Sequence, residues 1–200
     1  AVVAIICGIV LGSIAALMRN KWPDRVIIFF STLATATPSF VLATLLLLVF
    51  CIKLGWIPVW SAESNNYVLP VISLSVYPMA YITRLTKTSM LDALGQDYVR
   101  TAKAKGVSPK KVIFKHALRN ALIPVLTYVG PMIAFIITGS LVVENIFTIG
   151  GLGSKFVSGI TNRDYPIIMA TTMFLAVLMI VFNLLTDIIY KVVDPRITFE

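Results

Sequence analysis

One glycine-rich segment of this 200-residue chain has the residue types of a phosphate-binding loop: Gly150-Gly151-Leu152-Gly153-Ser154-Lys155. In such a loop a glycine precedes the lysine and a serine or threonine follows it, so that backbone N–H groups and a hydroxyl can bind phosphate and Mg²⁺. Here Ser154 precedes Lys155 and Phe156 follows it. The segment therefore does not predict a nucleotide site.

The other residues that commonly do chemistry are few. The single histidine, His116, lies among basic residues, which indicates an interface side chain rather than a catalytic base. Cys7 and Cys51 lie inside apolar runs, as two buried thiols or, alternatively, a disulfide, and no metal-ligand spacing occurs. We therefore expect no catalytic residue, no metal site and no cofactor bound by this chain, and predict that it is not an enzyme.

A second group of polar and helix-breaking residues lies within long apolar stretches. Asn183 and Asp187 are four residues apart and share one helix face, while Pro38 and Gly130-Pro131 interrupt two other stretches. Buried polar groups and broken helices are typical of solute pathways in membranes. These five residues are candidates for a pathway or a gate. Pairing of Asn183 and Asp187 with the basic connector described below, and ordinary helix packing, are alternative interpretations.

The composition indicates lipid as the solvent for these stretches. Hydrophobic residues make up 58% of the chain and charged residues only 13%, whereas soluble domains carry about 25% charged residues. Gly8 and Gly12 are four apart and predict close helix packing. Five stretches approach the roughly 20 residues that a membrane-spanning helix needs: Ala1–Met18, Val26–Ile52, Tyr67–Thr83, Ala121–Val143 and Tyr165–Val193. We predict an all-α membrane protein with a single transmembrane domain over residues 1–200.

The basic residues predict how the helices are oriented. Nine of the 17 lysines and arginines lie between Arg84 and Arg119, and connectors rich in positive charge stay on the cytoplasmic side. With that connector inside, only Lys53, Lys155 and Arg163 fall outside. The net charge of +8 is thus a signal of membrane topology, and we expect no nucleic-acid partner.

The connector 84–119 has a pattern of its own. Leu91, Leu94, Tyr98 and Ala102 recur at helical spacing and predict an amphipathic helix over Leu91–Lys105, which rests on lipid or on a partner protein. Gly106 is suited to end it, because glycine adopts the left-handed conformation without steric cost. Ser108-Pro109 then predicts a new helix start. The segment is therefore expected to form a helix, a glycine corner and a second helix.

The outer connector, Glu144–Asp164, is rich in Gly, Ser, Thr and Asn. Such a composition is typical of a surface loop. It also suits a lid or a re-entrant segment, since non-helical backbone is tolerated in a membrane where it lines a cavity.

Several of these segments resemble the permease subunits of ABC importers. The stretch from Asp97 to Gly106, DYVRTAKAKG, resembles their EAA loop, and His116–Pro124, HALRNALIP, continues the match. Further matching stretches are Glu144–Phe147, Gly151–Gly153, Asn162–Tyr165 and the tail Asp194–Arg196. The resemblance covers essentially the whole chain and is greatest to the B-type subunits of the oligopeptide, dipeptide and nickel branch.

The resemblance implies a function and a set of partners. Such a permease moves peptides by alternating access, paired with a second permease subunit, two ATPases that use ATP and Mg²⁺, and an extracytoplasmic binding protein. It implies a multi-pass protein of a bacterial or archaeal inner membrane, with one more spanning helix and an outer segment before residue 1. The EAA loop implies contact with an ATPase through Asp97, Arg100, Thr101, Ala102, Lys103, Lys105, Gly106, Val107 and Ser108.

The match has departures, and other functions stay open. Arg100 and Thr101 replace the Glu and Ala of the general motif, so a salt bridge carried by that Glu is not expected, and Arg119 stands where this branch often has Pro. Nickel or another small solute is an alternative cargo. A secondary carrier would predict acidic residues mid-span and inverted repeats, neither of which the sequence shows.

Overall fold

The computed structural model describes residues 1–59, 64 and 66–193, and all regular secondary structure in this part of the chain is helical. The matching tail Asp194–Arg196 lies outside these residues. The predicted all-α membrane fold is confirmed. Within the described ranges, three helices are long and apolar enough to cross a membrane, a fourth span results if one bent pair of helices is counted as a unit, and a shorter apolar helix precedes them.

Helix α1, Val2–Leu17, packs along α4, Val68–Gly95. Gly8 and Gly12 lie at this contact: a Cβ on Gly8 would be 2.7 Å from Cγ2 of Ile82, and one on Gly12 would be 2.5 Å from the carbonyl oxygen of Thr83. The predicted close packing is confirmed, because the missing side chains let the two backbones approach.

The predicted second span is two helices rather than one. Helix α2, Trp22–Ala36, and helix α3, Ser39–Leu46, which continues in π-helical turns through Leu47–Lys53, meet at 102°. Thr37 and Pro38 between them are extended, with ψ of 121° and 139°. Proline disfavours helical geometry at the residue before it and has no N–H to donate, which is why Pro38 breaks the span instead of bending it gently.

Helix α4 is longer than the predicted third span. It continues from Val68 through Thr83 to Gly95, so Arg84 and Lys87 lie within it. The amphipathic helix predicted over Leu91–Lys105 is therefore wrong as a single unit. Gln96, with ψ of 153°, separates the end of α4 from a short helix α5, Asp97–Ala104.

The second half of the chain begins with helix α6, Pro109–Lys111, which runs through π-helical turns (Val112–Leu118) into α7, Arg119–Thr138. Two short helices, α8, Leu141–Ile146, and α9, Leu152–Thr161, occupy most of the outer connector, where the composition predicted a loop. Helix α10, Tyr165–Val193, packs against α7 and α9. Together these elements place an elbow at one end of the bundle and a cavity at the bend between α2 and α3.

Candidate functional site

The elbow after α5 is closed by a backbone motif that depends on glycine. Gly106 has φ of +74°. Its N–H donates to the carbonyl of Lys103 at 3.0 Å, and the N–H of Val107 donates to the carbonyl of Ala102 at 3.2 Å. This is the Schellman arrangement, in which a left-handed residue satisfies the last carbonyls of a helix. The predicted glycine corner is confirmed.

A small apolar cluster packs between the two helices of the elbow. Val99, Ala102 and Val112 are buried together, and Leu94 and Val107 pack against them. Val112 belongs to the helix after the corner and Val99 to the helix before it, so the cluster holds the two arms of the elbow at a defined angle. Tyr98, predicted on the apolar face that rests on lipid or on a partner protein, is 40% exposed.

The opposite face of the elbow is open. Its exposed residues are those that the EAA resemblance assigned to ATPase contact, apart from buried Ala102 and half-buried Val107: Asp97, Arg100, Thr101, Lys103, Lys105, Gly106 and Ser108. Arg100 and Asp97 approach at 3.4 Å, but both side chains are largely exposed, so this pair adds little stability. Ser108 precedes Pro109 at the N-cap position, as predicted, without a side-chain capping hydrogen bond. The face thus offers mainly positive charge to a partner.

A second group of predicted residues meets at a cavity of about 630 Å³. Pro38 at the bend and Pro131 of α7 both line it, together with Tyr77, Tyr128 and other neutral side chains. Among the described residues, none that lines this cavity is charged. Its polar side chains are those of threonine, serine and tyrosine. The structure therefore brings the two predicted prolines together around one open space.

The other predicted pathway residues lie elsewhere. Gly130 faces α10, where a Cβ would lie 2.4 Å from Oγ1 of Thr186, so its role in the fold is close packing of α7 on α10. Asn183 and Asp187 are exposed on α10 and do not line the cavity. A pathway role for these two residues stays a prediction.

The sequence reasoning missed the surroundings of Glu144. This residue is 8% exposed, and its carboxylate accepts hydrogen bonds from the backbone N–H of Gly153 at 3.3 Å and of Ser154 at 2.7 Å. A Cβ on Gly139, Gly151 or Gly153 would lie within 3.1 Å of the carboxylate. The glycine-rich segment thus encloses an internal carboxylate at the start of α9, where the helix dipole favours negative charge. A lone acidic residue in an apolar segment, six residues before a glycine-rich run, was the available signal.

Because Glu144 is enclosed in this way, its substitution should lower the stability of the protein measurably. Glu144→Ala should leave the first N–H groups of α9 without acceptors in a buried site, at a cost of about 1–3 kcal/mol in the free energy of unfolding. Amide hydrogen exchange of Gly153 and Ser154 in detergent should accelerate. Glu144→Gln, which keeps the volume and one acceptor oxygen, should lose less, and Asn145→Ala, at the exposed neighbour, should change nothing. Unchanged exchange in Glu144→Ala would contradict the capping role.

The chain matches, over residues 8–199, a family described as the inner membrane component of binding-protein-dependent transport systems. It is 50% identical over 198 residues to the dipeptide transport system permease protein DppB of Bacillus subtilis (strain 168), covering 98% of this chain and 64% of the relative. It is 44% identical over 199 residues to the oligopeptide transport system permease protein OppB of Haemophilus influenzae, covering 98% of this chain and 65% of the relative.

A third relative is the glutathione transport system permease protein GsiC of Escherichia coli (strain K12), 42% identical over 198 residues, with 98% of this chain and 65% of the relative covered. The chain spans a little less than two thirds of the length of these relatives. The family match begins at Gly8 in α1 and continues past the end of α10, so it includes the elbow and the cavity. The chain therefore belongs to the family of inner membrane components of binding-protein-dependent transport systems.

Proposed function

We propose that this chain forms part of a permease subunit that moves peptides across a bacterial or archaeal inner membrane. ATP is hydrolysed by two partner ATPases, a second permease subunit completes the passage, and an extracytoplasmic binding protein delivers the cargo. The relatives named above are dipeptide, oligopeptide and glutathione permeases, which supports a peptide over nickel or another small solute.

The observation that carries the proposal is the continuity of α4. Its first half lines the cavity with Ser73, Leu74, Tyr77 and Pro78. Its last residue, Gly95, is separated from the start of α5 by a single residue. A single helix of 28 residues thus joins the cavity to the elbow. A partner that moves α5 acts directly on the wall of the cavity, which is what alternating access requires.

The chemistry of the cavity fits a peptide. Its neutral hydroxyls, from Thr37, Ser39, Tyr77 and Tyr128 among others, can exchange hydrogen bonds with backbone amides of any sequence. The absence of charge among the described lining residues leaves no side chain that would select for or against a charged peptide on this side of the passage.

Reconstitution tests the proposal directly. The complete subunit is placed in vesicles with its second permease, ATPases and binding protein, and uptake of a radiolabelled dipeptide, glutathione and Ni²⁺ is measured with and without ATP. We expect ATP-dependent peptide uptake, and no ATP hydrolysis by the permease alone. Uptake of Ni²⁺ and not of peptide would contradict the peptide assignment, while uptake independent of ATP would support a secondary carrier.

A pair of variants tests whether the cavity is the passage. Ser39→Trp places an indole in the cavity and should lower the uptake rate by about tenfold, equivalent to roughly 1.4 kcal/mol in the barrier. Met169→Trp, on the exposed face of α10, adds the same ring outside the cavity and should leave uptake within about twofold. Equal uptake by the two variants would contradict this assignment.

A further inference from the structure

An ion pair with a buried carboxylate joins α2 to α4. Nζ of Lys87 lies 2.5 Å from Oδ1 of Asp24, and the carboxyl group also accepts the backbone N–H of Asn20 at 2.9 Å through Oδ2. Asp24 is 4% exposed and the Lys87 side chain 20%. At this distance the Lys87 ammonium group both neutralises the carboxylate and donates a charge-assisted hydrogen bond to it. Asp24 lies in the first turn of α2, where the helix dipole favours a negatively charged carboxylate.

A half-open groove of about 320 Å³ lies beside this pair between α1, α2 and α4, and it is lined largely by apolar side chains including Ile27, Phe30 and Met79. A second polar contact between α2 and α4, from Nη1 of Arg84 to Oγ1 of Thr35, is exposed and 3.4 Å long. Although α2 and α4 also contact each other directly, Asp24–Lys87 is the one ion pair between them among the described residues, and its buried carboxylate makes it the polar contact best able to fix their relative position.

The pair also occupies a central place on α4. Lys87 is ten residues, about 15 Å, from Tyr77 at the cavity and eight residues, about 12 Å, from Gly95, where α4 ends before α5. On the other side, α2 runs from Asp24 to its end at Ala36, which lines the cavity beside Pro38. The two helices tied by this contact therefore both reach the cavity, and one of them also reaches α5.

We propose that the Asp24–Lys87 ion pair is a positioning latch, which makes α2 follow α4 when α5 moves and so carries that movement to the broken segment at Pro38. Without the latch, α4 shifts along α2 at the groove between them. Hydrolysis by a partner ATPase then proceeds without displacing the bend that lines the cavity. The link of the latch to ATP hydrolysis rests on the proposed function. The role of the ion pair in positioning α2 against α4 does not depend on that function.

The first readout is the amount of peptide moved per ATP hydrolysed in reconstituted vesicles. Asp24→Asn and Lys87→Met should each lower this ratio by about tenfold, within the range that coupling residues reach. The conservative double variant Asp24→Glu with Lys87→Arg should retain most of it, and the exchanged pair Asp24→Lys with Lys87→Asp should recover part. Controls are Lys21→Met and Asp92→Asn, which remove exposed charges on the same two segments and should leave the ratio unchanged.

The second readout does not depend on transport. Ser39→Cys at the cavity, in the complete complex lacking Cys7 and Cys51, is labelled with a water-soluble maleimide without nucleotide. Asp24→Asn should change its labelling rate severalfold, and the double variants should return the rate toward that of the parent. If the parent moves no peptide, the proposed function fails while this readout still decides the latch.

Three results would overturn the latch. The first is that Asp24→Asn changes neither the amount of peptide moved per ATP nor the labelling rate. The second is that the exchanged pair is as impaired as the single variants and the conservative pair recovers no coupling, and the third is that expression falls while the amount of peptide moved per ATP is unchanged in the protein that remains. The last result would mark a contact that only stabilises the fold.

Discussion

Gly106→Val is expected to uncouple ATP hydrolysis from transport while the protein still inserts and folds. The residue has φ of +74°, and an added Cβ would meet nothing within 4 Å, so the whole effect comes from the backbone. Holding a β-branched residue in the left-handed region costs roughly 1–3 kcal/mol. The chain can relieve this cost by abandoning the Schellman closure, which re-aims α5. The amount of peptide moved per ATP hydrolysed in reconstituted vesicles should fall by about tenfold, which corresponds to roughly 1.4 kcal/mol of lost coupling.

Two matched variants separate conformation from side-chain size at this elbow. Gly106→Asn should retain most coupling, because asparagine tolerates the left-handed region. Gly95→Ala, at the other end of the same connection, has no positive φ and no atom near its added Cβ, and should behave as the parent. Normal transport by Gly106→Val at normal expression would mean that the elbow does not transmit motion.

Gly12→Val should have the largest effect on folding. Its Cβ would lie 2.5 Å from the carbonyl oxygen of Thr83 and 2.6 Å from Cβ of Thr86. Neither of these atoms can rotate away, so α1 must move off α4 by about 1 Å to restore van der Waals distances of roughly 3.5 Å. Overpacking of this kind typically costs about 1–3 kcal/mol and occasionally more. The thermal midpoint of unfolding in detergent should fall, along with the yield of monodisperse protein.

Val10→Leu is the matched control for the contact between α1 and α4. It adds bulk two residues from Gly12 on a side chain that is 50% exposed, and should leave the midpoint unchanged. If Gly12→Val unfolds at the temperature of the parent, the close approach of α1 and α4 is not what holds these helices together.

The sequence by itself determined the fold class and the chemistry of the elbow. In lipid, the backbone groups of a long apolar stretch find their hydrogen-bond partners within a helix. Gly106 followed by Ser108-Pro109 specifies a helix end and a new helix start from local residues alone. Both features depend on neighbours within a few residues, which is why composition and spacing were enough to predict them. The same local logic predicted no phosphate site at Gly150–Lys155, but it did not show that glycines of this segment surround Glu144.

Only the tertiary structure decided the contacts between distant segments. The break at Pro38 was foreseen as a kink, but its angle of 102° depends on how α3 packs against α4 and α8. Helix α4 continues to Gly95 because Met90 and Ala93 are buried against Ala16 and Ala117, and this packing outweighs the charges that indicated a connector. The ion pair of Asp24 with Lys87 joins residues 63 positions apart. No local pattern specifies such a pairing, because its energy depends on burial that exists only after the helices have packed.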